Sequence, residues 1–469
     1  MSIKVLQHTN FTRQVISLLD RTFYRRPNKD SVLNHVITYY QEYPTVNAEL
    51  SRLKNSSDLQ QELKIFEKKL RLERTERNTY LLGVCLEVID LAESEDMNEC
   101  HRKSAQLLGT IALLSPTEGR RVASKNEMNK PIYKAVLCLR LLDRLCMDNI
   151  IVDSYISPFL KNIPPTRYSE FATIDPEGYR RFIHQVKIPL VMAAIIQDIG
   201  NFHPAARLIL MGKSGVLDPY RVLDKKNRKQ LLQINFRETV KYLVDGIGGS
   251  VYVGNSKDDR DQFYKNEDAK LVFIKRLLKS SINPKSGSGN LLTVPQIYTS
   301  MILSTKENYN YKLLPKVFQL LKQNADRGRC SRVFVDALYK VTGMFPQGFG
   351  ITYIPGHNEG KQQASYEYAI VNQLYPEDPL QPLCRIVTRQ LAFISSGQNI
   401  AIENSENLYF ADTAKKLALI SKERLNEILE LLASNYQERQ KLDLLPRCWH
   451  SDEFFATRGN QKLWNKLSG

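Results

Sequence analysis

The sequence predicts a mainly α-helical protein with a small β segment near its C-terminus. Apolar residues recur at spacings of three and four through most of the first 345 residues, as at Val32, Val36 and Tyr40, and this period marks one face of an α-helix. Residues 346–410 change to runs rich in β-branched and aromatic side chains, which favour strands. The composition, 42% hydrophobic and 25% charged over 469 residues, is typical of a soluble globular chain.

Composition and turn residues divide the chain into four predicted units. Residues 1–150 carry successive helical patterns, and we expect a helical regulatory or interaction domain there. Residues 151–345 open with a proline-rich loop and continue as a second helical domain, in which Phe182–Ile199 is apolar on most sides and is therefore predicted to be central. Residues 346–410 form the β segment, with a hairpin connection at GHNEGKQQ. Residues 411–469 form a C-terminal helix and tail.

The C-terminal helix is predicted over Thr413–Gln440 and is strongly amphipathic. Its apolar residues on or near one face are Leu417, Ile420, Leu425, Ile428 and Leu432. Such a face packs against its own domain or forms a seam between two copies of the chain. We favour packing on its own domain, and a homodimer stays open as the alternative.

Several classes of protein are excluded by composition. The longest wholly apolar run, Ile188–Ile196, has nine residues, whereas a bilayer span needs roughly 20. The N-terminal residues lack the apolar stretch of a secretory signal. The seven cysteines are scattered and include no C-x-x-C pair, which argues against a disulfide scaffold or a structural zinc site. We therefore expect a cytoplasmic protein with no membrane insertion.

The net charge of +16 raises the question of an anionic partner. The densest basic run is Lys225-Lys226-Asn227-Arg228-Lys229, and such runs are short and far apart. No RNA- or DNA-binding motif accompanies them, so nucleic-acid association stays only as a disfavoured alternative.

One ordered series of segments carries information about function. It begins with Ile195-Ile196-Gln197-Asp198-Ile199-Gly200, at the end of the apolar helix. The later segments are Leu217–Pro219 followed by Leu231–Phe236, then Ile297–Met301, then Gly343–Gly348 and Pro376–Leu380. In order and approximate spacing, residues 180–400 resemble the HD-GYP branch of the HD-domain phosphohydrolase superfamily.

The resemblance implies an HD-domain-like helical bundle. It also implies a bacterial signalling role, because active members of this branch are phosphodiesterases for cyclic di-GMP. In that branch an adjacent His and Asp bind divalent metal ions such as Fe or Mn, which polarise the phosphate and supply hydroxide. Lys225, Lys226, Arg228 and Lys229 could contact the phosphates of such a ligand.

The residues that would bind the metal depart from the family pattern. Gln197 stands in place of the metal-binding His, and Asn201 in place of a Lys. Asn235 and Gln296 stand in place of a later His and Asp, whereas Asp198 and Gly200 match. A neutral amide is a poor substitute for imidazole or carboxylate as a metal ligand.

His203, just past Gly200, could approach Asp198 and form a weak residual metal site. Without a metal ion or a cation, an ionised buried carboxylate at Asp198 would be costly, and we expect it to have a basic or backbone partner.

The leading hypothesis is a catalytically inactive HD-GYP-like regulatory or scaffold protein that binds cyclic di-GMP or a signalling protein and needs no cofactor. Two alternatives stay open. The first is an active metal-dependent phosphodiesterase with atypical ligands for Fe or Mn. The second is a basic protein associated with nucleic acid.

Overall fold

The fold is described from a computed structural model of the chain. The described residues are 8–26, 28–56, 59–119, 121–151, 153–283, 287–306, 309–356, 365–417, 421–432 and 446–465. The predicted fold class is confirmed, because the chain is 65% helical and 6% strand. The predicted hairpin connection at GHNEGKQQ lies almost wholly outside the described residues.

The helices run in chain order from the N-terminus. The first five are α1 Asn10–Phe23, α2 Val32–Lys54, α3 Gln60–Ala92, α4 Met97–Leu114 and α5 Val122–Met147. The central ones are α6 Phe171–Ile174, α7 Pro176–Phe182, α8 Ile188–Ile196, α9 Pro204–Met211, α10 Lys225–Lys241, α11 Lys257–Ser280, α12 Asn290–Ile302, α13 Val317–Asp326 and α14 Arg332–Thr342. The last three are α15 Ala411–Lys416, α16 Lys422–Leu432 and α17 Asp452–Phe455. Turns of π-helix, Ile183–Lys187 and Tyr242–Ile247, join α7 to α8 and extend α10.

The core is built around α5 and α8, which pack against each other. Every residue of α8 is buried, as its sequence predicts, and burying each large apolar side chain stabilises the fold by about 1.5–3 kcal/mol. The helical stretch Pro176–Phe202 is long and apolar enough to cross a membrane, but 78% of its apolar window is buried inside the fold. This burial indicates a core helix of a soluble protein. A cytoplasmic location stays a prediction.

The predicted β segment is confirmed as an antiparallel sheet packed on the helices. Its strands are β1 Gly350–Tyr353, β2 Glu367–Val371, β3 Leu383–Ile386, β6 Asn399–Ala401 and β7 Cys448–Trp449, in the order β6-β3-β2-β1-β7, with β4 Thr388–Arg389 and β5 Ala392–Phe393 forming a separate pair. The edge strand β7 comes from the C-terminal tail. Trp449 anchors it, because its ring stacks on Tyr368 with centroids 4.6 Å apart and its indole N–H donates to the carbonyl of Ala369.

The single helix predicted over Thr413–Gln440 is wrong in part. The described residues form two shorter helices, α15 and α16, whereas residues 418–420, which include the predicted Ile420, and residues 433–440 lie outside the described part. Leu417, Ile428 and Leu432 are at most 4% exposed, so the apolar face packs on its own fold. This burial favours the first of the two interpretations and leaves that face unavailable as a dimer seam.

The predicted boundary near residue 150 separates α5 from three later helices that it contacts in the fold. α5 lies before the boundary and packs on α8, α12 and α14, all of which lie after it. The consequence for function is that α5 contributes side chains to the site at the end of α8.

Candidate functional site

The site lies where α8 ends. Gln197 and Asp198 follow the last residue of α8, and the chain then turns through a short 3-10 helix, Ile199–Phe202. Gln296 on α12 and Lys134 on α5 approach the same point from opposite sides. The resemblance to the HD-GYP branch assigns Gln197, Asp198 and Gln296 to metal-binding positions, and the fold brings these three side chains together.

The four side chains form a closed ring of hydrogen bonds. Lys134 Nζ donates to Gln197 Oε1 at 3.0 Å and to Asp198 Oδ2 at 3.1 Å. Gln197 Nε2 donates to Gln296 Oε1 at 2.6 Å. Gln296 Nε2 closes the ring by donating to both carboxylate oxygens of Asp198 at 3.0 Å. Each amide therefore uses its oxygen as an acceptor and its nitrogen as a donor within the ring.

The ring contains one positive and one negative charge. The Lys134 side chain is 3% exposed and that of Asp198 is 33% exposed. A buried ammonium without a counter-charge would cost several kcal/mol, so the carboxylate of Asp198 is what allows Lys134 to be buried here. The expectation that Asp198 has a basic partner is confirmed.

Lys134 was missed by sequence reasoning. It contacts Gln197 and Asp198 across more than 60 positions of the chain, so no local spacing could indicate the contact. One signal was available, because Lys134 is the only charged residue in the apolar helical run Ile132–Leu139. A charge on a buried helix face requires a partner in the core.

Asn235 and Gly200 hold the backbone of the site. Asn235 Nδ2 donates to the carbonyl of Gln197 at 3.1 Å, and the N–H of Gly200 donates to Thr239 Oγ1 at 3.1 Å. A Cβ on Gly200 would lie 2.1 Å from the carbonyl oxygen of Asn235, so only glycine lets α10 approach this closely. Asn201 follows in the same turn, where its N–H donates to the carbonyl of Asp198. The side chain of Asn235 therefore binds backbone rather than pointing at a metal position.

His203 is held by contacts that lead away from Asp198. Its Nδ1 accepts from the N–H of Ala205 at the start of α9, and its ring meets Tyr40 edge-on. Burial lowers the pKa of His203, which the nearby Glu238 carboxylate opposes. No contact joins His203 to Asp198 within the described part of the chain, so the fold does not bring the predicted residual pair together.

The residues present do not fit the divalent metal that the resemblance implies. Two of the three matched positions offer amides, and the ammonium of Lys134 already contacts the only carboxylate. Among the described residues, no group of three or more His, Cys, Asp or Glu side chains could hold a metal ion. A divalent cation beside Lys134 would also be repelled by its charge.

A cavity of about 910 Å³ opens on one side of the ring. Gln197, Asp198 and Gln296 form part of its wall. The other lining side chains that matter for binding are the cations Arg228, Lys229 and Arg329, the amides Gln233, Asn283 and Asn324, and the apolar Leu232, Phe236, Ile297 and Met301. Lys134 lies behind this wall rather than in it.

The cavity separates the four predicted phosphate-contacting residues. Arg228 and Lys229 line it, whereas Lys225 and Lys226 are not among the described residues that do so. Arg329, which follows α13, joins Arg228 and Lys229 at the cavity and was not predicted. The three cations face a wall on which the charge of Asp198 is balanced by Lys134, so the cavity has a basic character.

A second charged group, which we call the ionic cluster, is buried where Arg140 and Asp143 on α5 meet Glu93 at the end of α3 and Lys187 in the π turn before α8. Lys187 contacts Asp143 at 2.9 Å and Glu93 at 2.7 Å, and Arg140 contacts Asp143 at 2.8 Å and also Glu93. Burial opposes charge on these groups, but the neighbouring carboxylates raise the pKa of Lys187 and the cations lower that of Asp143. Arg140, Asp143 and Lys187 are therefore charged at neutral pH.

Comparisons with family models, curated proteins and solved structures return no match for this chain. The resemblance to the HD-GYP branch thus depends on the residues discussed above and stays a prediction.

Proposed function

We propose that the chain is a non-catalytic HD-GYP-like regulatory protein that binds an anionic ligand in the 910 Å³ cavity. Cyclic di-GMP is the candidate that the resemblance suggests. The single observation that carries the proposal is the closed ring, in which the Lys134 ammonium bonds to Gln197 and Asp198.

The ring supports loss of hydrolysis for a chemical reason. Metal-dependent hydrolysis requires an ion that lowers the pKa of a bound water and so supplies hydroxide. The ammonium of Lys134 can stabilise negative charge, but it has no open coordination position for water. The amide groups of Gln197 and Gln296 are too weakly basic to act as a general base.

The cavity supports ligand binding. Its volume is within the range of small-molecule sites, which combine apolar surface with a few convergent polar groups. Arg228 and Arg329 can form paired hydrogen bonds to phosphate oxygens, and the amide of Gln233 offers a donor and an acceptor to a ligand's polar edge. An anionic, partly planar molecule with apolar surface matches this lining best.

The test uses the purified full chain. We expect no stoichiometric Fe or Mn by metal analysis, no hydrolysis of cyclic di-GMP with either metal added, and binding of cyclic di-GMP by calorimetry. Arg228→Ala should weaken that binding about tenfold, by loss of a charged hydrogen bond. Lys226→Ala is the matched control, because it removes a charge from the same helix away from the cavity, and it should change the affinity little.

Two results would contradict the proposal in different ways. Metal-dependent turnover that disappears in Asp198→Ala would establish an active phosphodiesterase instead. Absence of both turnover and binding would remove cyclic di-GMP as the ligand, and the chain would then be a scaffold that acts through a protein partner.

A further inference from the structure

The segment that connects α9 to α10 carries basic and exposed apolar side chains, of which only Arg228 and Lys229 line the 910 Å³ cavity. Residues 208–229 contain six basic and two acidic side chains. Its large apolar residues are unusually exposed, with Val216 at 79%, Val222 at 83% and Leu208 at 57%. We call residues 208–229 the basic apolar surface.

The fold holds this segment in place. The N–H of Leu217 donates to the carbonyl of Met211 at 3.0 Å, and Arg221 Nη2 donates to the carbonyl of Ile209 at 2.8 Å. Asp224 accepts from the N–H of Asn227 and so caps α10. The connection is therefore folded back on the end of α9 and fixed to the start of α10. In this conformation Val216 and Val222 are exposed to solvent.

Arg228 and Lys229 line the cavity, and among the other charges of this surface those that remain free to meet a partner are lysines. Arg221 is occupied by backbone carbonyls, and the carboxylates of Asp218 and Asp224 accept from backbone N–H groups. Lys213, Lys225 and Lys226 are exposed. Lysine acts as a compact point charge, whereas recognition of individual carboxylates favours the planar fork of arginine. Exposed lysines beside protruding valines therefore suit a diffuse anionic surface better than an acidic peptide.

We infer that the basic apolar surface docks on an anionic lipid membrane. The lysine ammonium groups would lie among the headgroup phosphates, and Val216 and Val222 would enter the boundary between headgroups and acyl chains. Peripheral binding to a membrane strengthens with the apolar area buried at the interface and with electrostatic attraction to anionic lipids, and this surface offers both. The net charge of +16 adds long-range attraction to an anionic surface and disfavours a second copy of the chain as the occupant. The contact is peripheral and needs no membrane-spanning helix.

The test measures binding of the full chain to large unilamellar vesicles by co-sedimentation. Vesicles of phosphatidylcholine alone should bind little, and vesicles with 30% phosphatidylglycerol should bind in a salt-sensitive way. Lys225→Ala/Lys226→Ala should weaken the second interaction by roughly 25-fold, at about fivefold per lysine. Lys68→Ala/Lys69→Ala on α3 makes the same change in net charge elsewhere, and it should have a much smaller effect.

The apolar contribution has its own pair of variants. Val216→Ser/Val222→Ser should weaken binding to the anionic vesicles while leaving its salt dependence unchanged. The control is Ile65→Ser/Val253→Ser, which replaces two exposed apolar side chains outside this surface. Ile65 is 65% exposed and Val253 is 94% exposed, and their replacement should leave vesicle binding unchanged.

Three outcomes would overturn the inference. They are failure to bind the anionic vesicles, equal loss of binding in the two lysine pairs, and binding to soluble polyglutamate with the same lysine dependence but not to vesicles. The last outcome would assign the surface to an acidic protein partner. Calorimetry with cyclic di-GMP is a separate readout, because Lys225, Lys226, Val216 and Val222 do not line the 910 Å³ cavity.

Discussion

The ring around Lys134 and the ionic cluster around Arg140 share the core helix α5, along which Lys134 and Arg140 lie about 9 Å apart at 1.5 Å per residue. The ionic cluster has two cations and two carboxylates, and the side chains of Arg140, Asp143 and Lys187 are 0% exposed. The ring has a single charge pair, two amides and one open side. Its carboxylate, Asp198, is 33% exposed and faces the cavity.

The difference separates a structural role from a binding role. Four buried charges that form ion pairs with one another connect α3, α5 and the π turn before α8, so the fold alone gives them a structural role. The ring leaves its amide and carboxylate groups at the wall of a cavity. A buried charge pair is weak evidence of stabilisation, since apolar residues of similar volume often do as well. Under the proposed function, the polar groups of the ring form part of the ligand site in the cavity.

The largest expected effect comes from breaking the ionic cluster. Arg140→Met leaves Glu93 and Asp143 with only Lys187 as a counter-charge in the core. We expect the free energy of unfolding to fall by about 3–5 kcal/mol, measured by urea denaturation at neutral pH. A loss below about 1 kcal/mol would mean that the cluster is more solvated than its burial indicates.

A smaller effect is expected at the ring. Lys134→Met leaves Asp198 without its cation, but water can reach this carboxylate from the cavity, so we expect a loss of about 2 kcal/mol. Lys134→Met/Asp198→Asn removes both charges and should recover most of that loss. If the double variant is no more stable than the single one, the charge pair is not what makes Lys134→Met costly.

The ionic cluster should also make the fold sensitive to acid through a neighbouring histidine. His101 stacks on Tyr375 with ring centroids 3.8 Å apart, and burial together with the charge of Arg140 lowers the pKa of His101 to about 4. The unfolded chain, with a histidine pKa near 6.5, binds the proton more readily than the folded one. Stability is therefore full above about pH 6.5 and falls as the pH drops toward 4.

His101→Phe keeps a ring for the stack and removes the titration. We expect the wild type to lose about 1–2 kcal/mol more than this variant between pH 7 and pH 4.5, measured by urea denaturation at each pH. The lowered pKa of Asp143 predicts a further loss, common to both proteins, at more acidic pH. Parallel stability curves for the two proteins would contradict the role of His101.

How much of this could be predicted from sequence differs between the two clusters. The helical period fixed the fold class, and the order of segments placed Gln197, Asp198 and Gln296 in one site. Lys134 and Arg140 could not be assigned, because the packing of α5 against distant segments sets most of their partners; only Asp143, three residues after Arg140, is a local one. The same limit applies to Lys225 and Arg228, since the rotation of α10 about its axis decides which of them meets the cavity. Similarly, the spacing of apolar residues gives no signal that α15 ends at Lys416.

The smallest expected effect on stability is at the cavity, where the comparison with Arg140 is sharpest. Arg329 is exposed, and Arg329→Ala should change the free energy of unfolding by no more than about 0.5 kcal/mol. It should nevertheless weaken binding of cyclic di-GMP by roughly tenfold, because a charged hydrogen bond to a ligand contributes about 1.5–3 kcal/mol. Arg327→Ala, two residues earlier and off the cavity wall, should affect neither property. An Arg329→Ala protein that keeps full affinity would show that the ligand does not reach this wall, and the binding role would then be confined to the side of the cavity formed by the ring and α10.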